Sequence, residues 1–137
     1  MNDELLGEIE RYIDAWVGEM HWAFPNAGSE TLQFRIRADV NGPSLEQKHL
    51  IEELASRYEA LWPGIANRLS ELRSFKGNES EITAHLKPRV LLSMPGVIGT
   101  EIFDFTLGYE FTDEENTYVG YFVGFVGWEI RNAIKAM

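Results

Sequence analysis

The run of residues from Tyr118 to Trp128 reads YVGYFVGFVGW and contains eleven residues without a charge. Glycine recurs in it at every third or fourth position, at Gly120, Gly124 and Gly127. As a helix the run would be only about 16 Å long, whereas the hydrocarbon core of a bilayer is about 30 Å thick. Its length therefore excludes a membrane-spanning helix. As a strand the run is apolar on both faces, so it needs cover on both sides or a partner.

The segment before this run alternates like a half-buried strand. Between residues 101 and 112, large apolar side chains occupy every second position. These side chains are Phe103, Phe105, Leu107, Tyr109 and Phe111. The polar stretch TDEENT, at positions 112–117, connects this segment to the glycine-rich run. We therefore predict a β-hairpin with an acidic turn.

The register of this hairpin decides which aromatic residues face the core. A pairing that is symmetric about the middle of DEEN places Tyr109 opposite Gly120 and Phe105 opposite Gly124. In that register large rings cover glycines on the core side, a known device in sheets. We take it as the first expectation.

The same register predicts which residues of the returning strand lie on the open face. They are Val119, Tyr121, Val123 and Phe125. A loop one residue longer or shorter reverses the faces and places Tyr118, Phe122 and two glycines there instead. In both cases aromatic groups lie on a nominally wet face. They are covered by the chain itself or they form an interaction patch.

Other elements are predicted from apolar spacing and turn residues. Apolar residues recur at three and four positions over residues 5–20, which predicts an amphipathic helix. Strict alternation over residues 31–40 predicts a strand. Ser44 and Gln47 form a capping-box signature for a helical segment, which Pro63-Gly64 should break or bend. This segment is expected to be two helices or one bent helix.

The last part of the chain completes the predicted fold. The pattern becomes extended from Ile82, and prolines limit any strand there to short pieces. Residues 129–137 are predicted to form a short helix. Together the elements predict a single α+β domain over residues 1–137. It has an antiparallel sheet of about four strands, helices packed on one face and the order α-β-α-α-β-β-β-α.

Composition restricts the function classes. The chain of 137 residues has no cysteine, which excludes disulfides, thiol chemistry and zinc-thiolate sites. Its formal net charge of −10 repels phosphate backbones and anionic lipid and attracts basic partners. We therefore expect neither a nucleic-acid nor a membrane partner. No export signal is visible at the start, so a cytoplasmic location is expected.

Motifs for catalysis or metal binding are absent from the sequence. His21, His49 and His85 lie far apart and form no metal-binding pair. The acidic turn 113–116 lacks the alternating ligands and central glycine of a calcium loop. Serine-nucleophile motifs and phosphate-binding loops are also missing. We expect no cofactor, no metal and no enzymatic activity.

Two segments stand out by their order of elements. They are ETLQFRIRADVNGPSLEQKHLIEELASRYEALWPGIANRLSEL, a strand followed by a capped helical segment, and FDFTLGYEFTDEENTYVGYFVGF, a hairpin around an acidic turn. In these segments the chain resembles small bacterial immunity-protein-like domains of unknown function from polymorphic toxin systems. The resemblance implies a cytosolic protein that binds and neutralises a cognate toxin. It carries over no functional residue, because such proteins vary the surface that recognises the partner.

The predicted contact surface is the open face and tip of the hairpin. Its residues are Asp104, Glu110, Asp113, Glu114, Glu115, Tyr121 and Phe125, chosen for exposure, charge and aromatic character. The expected partner is a protein, a toxin with a basic surface, bound by a monomer or homodimer. Two alternatives stay open. One is a small-molecule-binding domain or small enzyme with a pocket between helices and sheet, and the other is a homodimeric structural protein.

Overall fold

The computed structural model of the protein describes residues 1–21, 31–73, 79–113 and 120–136. This part of the chain contains ten strands and two helices. In chain order they are β1 (Asn2–Asp3), β2 (Gly7–Tyr12), β3 (Ala15–His21), β4 (Thr31–Arg37), α1 (Leu45–Leu72), α2 (Glu79–His85), β5 (Arg89–Met94), β6 (Gly96–Ile98), β7 (Glu101–Phe103), β8 (Phe105–Tyr109), β9 (Gly120–Val126) and β10 (Glu129–Ala136).

Eight strands form one mixed sheet in the order β1-β2-β3-β4-β5-β8-β9-β10. Strands β4 and β5 pair in parallel, and the other neighbours in this sheet pair antiparallel. A parallel pair requires a long crossover, which the chain provides through α1 and α2. Strands β6 and β7 form a separate two-stranded hairpin.

The predicted fold class is therefore wrong. The protein is mostly β, with one long helix and an eight-stranded mixed sheet, instead of four antiparallel strands with helices on one face. The error arises mainly at the two ends of the chain, where segments predicted as helices are strands.

Residues 5–20 form the β2–β3 hairpin and not a helix. A helix would bury Tyr12 and Ile13 with the other apolar residues, but Tyr12 is the last residue of β2 and Ile13 lies in the turn. Their side chains are 64% and 77% exposed. Ile9 and Trp16 are buried from the two strands. The spacing of three and four is thus produced by two alternating strands on either side of a turn, which periodicity alone does not distinguish from one helix.

Residues 129–136, predicted as helix, form the edge strand β10 along β9. Val126 pairs with Glu129 across a two-residue turn at Gly127 and Trp128, and Gly127 has a φ of 59°. Glycine adopts this left-handed conformation without steric cost, which allows the tight reversal. A nine-residue apolar pattern is too short to decide between helix and strand, so the turn determines the result.

The central prediction of a strand followed by a capped helix is confirmed. Strand β4 occupies most of the predicted segment, and α1 begins after Ser44. The Ser44 Oγ accepts a hydrogen bond from the Gln47 backbone N–H at 3.1 Å, and Gln47 Oε1 accepts one from the Ser44 N–H at 2.8 Å. Helix α1 continues through Pro63 as one helix of 28 residues. Helix α2 lies partly where extended chain was predicted.

The core lies between α1 and one face of the large sheet. From α1 it receives Ile51, Leu54, Tyr58, Trp62, Ile65 and Leu69, and from the sheet it receives alternate residues of β4, β5, β8 and β9. No helix in the described residues is long and apolar enough to cross a membrane.

Candidate interaction surface

The face of the large sheet that points away from α1, called the open face below, is formed by rows of side chains across neighbouring strands. In one row Glu19 lies beside Gln33, Gln33 beside Leu91, Leu91 beside Gly108, and Gly108 beside Phe122. Laterally paired residues share a face of a sheet, so the row runs from an acidic end to an aromatic end.

A second row lies next to the first and carries more charge. It runs from Glu10 through Val17 and Arg35 to Ser93 and ends at Thr106 and Gly124. Glu10 and Arg35 are exposed. Charged groups of both signs therefore lie on this face, with the acids grouped on β2 and β3.

The β6–β7 hairpin covers one end of the open face, and glycines make room for it. A Cβ atom built on Gly124 would lie 2.8 Å from the Phe103 ring, and one on Gly96 would clash with Thr106. Gly124, which belongs to the glycine pattern in the sequence, is thus a place where another segment approaches the backbone closely, and Gly96 plays the same part from β6.

Phe122 forms an aromatic part of the open face. Its ring lies against the backbone of two glycines, since a Cβ on Gly108 or Gly120 would come within 2.9 Å of it. Leu91, the neighbour of Gly108, is 39% exposed. Val17, Leu91 and Phe122 are called the apolar strip below.

A cleft of about 620 Å³ lies beside the apolar strip. Glu8, Glu10 and Glu19 line one side, and Gln33, Arg35 and Leu91 line the other. These three glutamates are called the acidic wall below. All three are exposed. Glu19 accepts a hydrogen bond from Gln33 Nε2 at 3.1 Å, and Glu8 lies 3.3 Å from the N-terminal ammonium.

Two of the predicted contact residues, Tyr121 and Phe125, lie in the core. Tyr109 pairs with Tyr121 and Phe105 with Phe125, which is one residue away from the register expected first. Both side chains are fully buried, and the Phe105 and Phe125 rings stack with centroids 4.7 Å apart. The prediction that Tyr121 and Phe125 are exposed is therefore wrong. The aromatic side chain of β9 that lies on the open face is Phe122.

Glu110 binds cations of its own chain. Its carboxylate lies 2.9 Å from Lys87 Nζ and 2.9 Å from Arg89 Nη2. Partial burial opposes ionisation of Glu110, but the hydrogen bonds from Lys87 and Arg89 outweigh it and lower the pKa of the carboxyl. Most of its charge is therefore compensated locally.

Asp113 is held in the same way. Both of its carboxylate oxygens accept hydrogen bonds of 2.6 Å from Arg73 Nη2, whose side chain is largely buried. Burial opposes ionisation here too, but the Arg73 guanidinium lowers the pKa of Asp113. This pair connects the end of α1 to the start of the acidic turn. Glu114 and Glu115 lie outside the described residues.

Asp104 lies at the other end of β8. Its Oδ2 accepts a hydrogen bond of 2.7 Å from the Gly127 N–H, so it supports the turn between β9 and β10. Strand β8 separates Asp104 from Glu110, and six residues of strand span about 20 Å. The predicted acids therefore do not form one patch.

Sequence reasoning missed the acidic wall and Leu91. The alternation in GEIERY, with Ile9 between Glu8 and Glu10, is a signal for a half-buried strand with an acidic outer face. The helical interpretation of residues 5–20 concealed it. Leu91 carried no signal, because its position on a face depends on the pairing of β5.

The described residues contain no group of three or more His, Asp or Glu side chains that could hold a metal ion. Tyr58 and Tyr109, whose hydroxyls form a hydrogen bond of 2.7 Å, are buried in the core and do not reach the open face.

In comparisons with known proteins, no family model, no curated sequence and no solved structure matches this chain.

Proposed function

We propose that this protein is a binding domain that captures a basic partner protein on its open face, and that the partner is a toxin that it neutralises. The observation that supports this most is the cleft between the acidic wall and the apolar strip. It combines exposed carboxylates with the exposed Leu91 and the half-buried Val17 and Phe122 on one face of the sheet.

The acidic wall supports a basic partner by charge. Glu8, Glu10 and Glu19 lie on adjacent strands, and no ion pair joins Glu10 or Glu19 to a cation among the described residues. Their field adds to the net charge of −10. Complementary charge of this kind accelerates association and excludes like-charged partners.

The apolar strip supports a lasting complex. Leu91 is 39% exposed in the middle of the sheet, and Phe122 lies flat against glycine backbone. Neither side chain needs to unfold its surroundings to contact a partner. Apolar and aromatic side chains near the centre of an interface often contribute most of the binding energy.

Identifying the partner as a toxin rests on the resemblance to immunity-protein-like domains. A domain that blocks a toxin needs a stable surface and no catalytic group of its own. The open face fits this requirement, since it is built from strands and not from loops.

The experiment measures binding kinetics against the product of the neighbouring gene. Glu8→Gln, Glu10→Gln and Glu19→Gln together should slow association about tenfold at low salt. The matched control is Glu52→Gln, Glu59→Gln and Glu71→Gln, which removes the same charge from exposed positions of α1. The control should change association much less, because its charges lie on the opposite side of the sheet.

Apolar contact is tested separately. Leu91→Ala should speed dissociation about tenfold, whereas Leu45→Ala, at an exposed position of α1, should not. If both triple charge variants slow association equally and Leu91→Ala leaves dissociation unchanged, the open face is not the binding surface. If the protein binds but fails to protect cells that express the partner, the toxin assignment is wrong and the binding proposal stands.

A further inference from the structure

In the described part of the chain, three pairs of neighbouring strands are joined by turns of two residues. The pairing of β2 with β3 leaves Ile13 and Asp14 as their turn. Gly99 begins the turn between β6 and β7, and Gly127 begins the turn between β9 and β10. The first residue of each turn is left-handed, with a φ of 60° at Ile13, 63° at Gly99 and 59° at Gly127. The three turns thus require the same φ at the same position.

Isoleucine is an unfavourable residue at this position. The second residue of each turn lacks a positive φ, which is the pattern of a type II′ turn with glycine in first place. Glycine adopts a positive φ freely because it has no Cβ atom, whereas a β-branched residue is strained there. Ile13 is the one non-glycine residue with a positive φ among the described residues. Two turns therefore have the residue that the conformation favours, and the β2–β3 turn has one that it disfavours.

Packing within the chain does not explain this isoleucine. Among the large apolar side chains that the structure describes, Ile13 has the highest exposed fraction, 77%, and Tyr12 beside it is also exposed. An exposed side chain contributes little to folding. Backbone strain that folding does not require is concentrated at functional sites. The turn therefore holds two large apolar groups in water at a cost to stability.

Asp14 anchors the turn to β4. Its Oδ1 lies 3.4 Å from Arg35 Nη2, and its Oδ2 lies 3.1 Å from Arg37 Nε. Its backbone oxygen accepts a hydrogen bond of 3.3 Å from the Ala38 N–H. The ion pairs are exposed and contribute little stability, but they orient the turn. A turn that is already ordered loses little conformational entropy when it binds.

We infer that Tyr12 and Ile13 form an apolar anchor that inserts into an apolar hollow on the partner protein. This inference rests on the proposed capture of a basic partner by the open face. Tyr12 follows Glu10 by two residues along β2, so its side chain lies on the open face beside the acidic wall. The hollow on the partner therefore lies next to the basic groups that the acidic wall attracts.

A basic protein fits this turn better than a lipid surface or a second copy of the chain. Insertion into a membrane would bring the acidic wall close to anionic headgroups, which repel it. A symmetric contact between two copies would bring two acidic walls together, which is also repulsive. A basic partner turns the same charges into an attraction.

The first measurement is thermal unfolding of Ile13→Gly, which gives this turn the residue of the other two. The variant should unfold about 2–4 °C above the wild type, because the strain is removed and little buried surface is lost. Ile13→Asn tests the same point with a side chain that tolerates a positive φ better than isoleucine. The reverse control is Gly99→Ala, which should unfold at a lower temperature. A Cβ atom there meets no neighbouring atom, so its loss measures backbone strain.

The second measurement is the binding kinetics of these variants with the product of the neighbouring gene. Ile13→Gly, Ile13→Asn and Tyr12→Ser should each dissociate about tenfold faster than the wild type. Their association should change little, because the acidic wall is intact. The matched control is Leu45→Ser, at an exposed apolar position of α1, which should dissociate like the wild type. A variant that is more stable than the wild type and binds more weakly cannot owe its weak binding to misfolding.

Other results would overturn the inference. If the triple variant of the acidic wall slows association but the Tyr12 and Ile13 variants dissociate normally, the open face binds the partner without this anchor. If the wild type does not bind the gene product, the proposed function fails and the anchor fails with it. A lower unfolding temperature of Ile13→Gly would show that the turn is not strained. Loss of binding to phosphatidylcholine vesicles, or conversion of a dimer to a monomer in sedimentation, would assign the turn to lipid or to a second copy.

Discussion

The hydroxyl oxygens of Tyr58 and Tyr109 lie 2.7 Å apart in the core, so one hydrogen bond joins α1 to β8. Trp62 lies beside both rings, with centroids about 6 Å away. A polar contact at this depth is favourable only while its groups are bonded. It therefore fixes the position of the helix on the sheet as well as contributing to stability.

The first prediction concerns this hydrogen bond. Tyr58→Phe and Tyr109→Phe should each lower the free energy of unfolding by about 1–2 kcal/mol, because each breaks a buried bond. The double variant should lose less than the sum of the two, by about 0.5–1.5 kcal/mol. Urea denaturation of the four proteins measures this coupling. Strict additivity would show that the two hydroxyls do not interact.

The second prediction concerns alkaline pH. Burial raises the pKa of Tyr109, and burial with the neighbouring hydroxyl raises that of Tyr58 well above the ordinary value of 10. In the unfolded chain these tyrosines ionise near pH 10, so the folded state holds more protons above that pH. Their contribution to stability is complete below pH 10 and is lost as the pH rises further.

Unfolding curves between about pH 9 and pH 11.5 test this. The wild type should lose stability with pH more steeply than the Tyr58→Phe/Tyr109→Phe double variant. Ionisation of lysines affects both proteins alike, so the difference between them isolates the tyrosines. Parallel curves would contradict the assignment.

The third prediction concerns acid. Lys87 and Arg89 outweigh the effect of burial and hold the pKa of Glu110 below its ordinary value of 4.5. A lowered pKa gives stability that is present above the ordinary value and is lost as the pH falls through the folded value. Glu110→Gln should therefore be less stable at neutral pH and should lose less stability on acidification than the wild type. Glu52→Gln, at an exposed site of α1, should follow the wild-type curve.

The fourth prediction compares two glycines. A Cβ on Gly124 would lie 2.8 Å from the Cγ and Cδ1 atoms of the Phe103 ring, whereas one on Gly64 in α1 would lie 3.6 Å from Ile130 Cδ1, an ordinary distance. Gly124→Ala should cost about 1–3 kcal/mol because Phe103 must move. Gly64→Ala should stabilise by up to about 1 kcal/mol, since alanine favours helix. Thermal unfolding distinguishes the two, and a neutral Gly124→Ala would show that the β6–β7 hairpin is not tightly packed.

The elements that sequence predicted correctly are those specified by neighbouring residues. The capping box of Ser44 and Gln47 depends only on groups three positions apart, and the alternation of β4 depends only on its own side chains. The terminal segments were mispredicted because their spacing fits both a helix and a hairpin. The pairing of β3 with β4, which are distant in the chain, decides for the first segment, and the tight turn at Gly127 between β9 and β10 decides for the last.

The site was harder to predict than the fold because it depends on register. A shift of one residue in the β8–β9 pairing exchanged Tyr121 and Phe125 with Phe122. Because both faces of β9 are apolar, its sequence is compatible with either face pointing toward the core. One is covered by α1, and the other is partly covered by Phe103. Pairing across the acidic turn is a tertiary property that the turn sequence alone did not specify.

The last prediction tests that register directly through stability and binding together. Phe125 is fully buried and stacked on Phe105, so Phe125→Ala should cost about 3–5 kcal/mol. Leu91 on the open face keeps much of its surface in water, so Leu91→Ala should cost less than about 1 kcal/mol. Urea denaturation gives both values.

In the binding assay the order of the effects should reverse: Leu91→Ala, which folds normally, should release the partner faster. Phe125→Leu, which keeps an apolar group in the core, should bind with nearly wild-type kinetics. A small loss of stability in Phe125→Ala, with a large loss of binding in Phe125→Leu, would contradict this register. It would show that Phe125 lies on the open face, as the register first expected from the sequence requires.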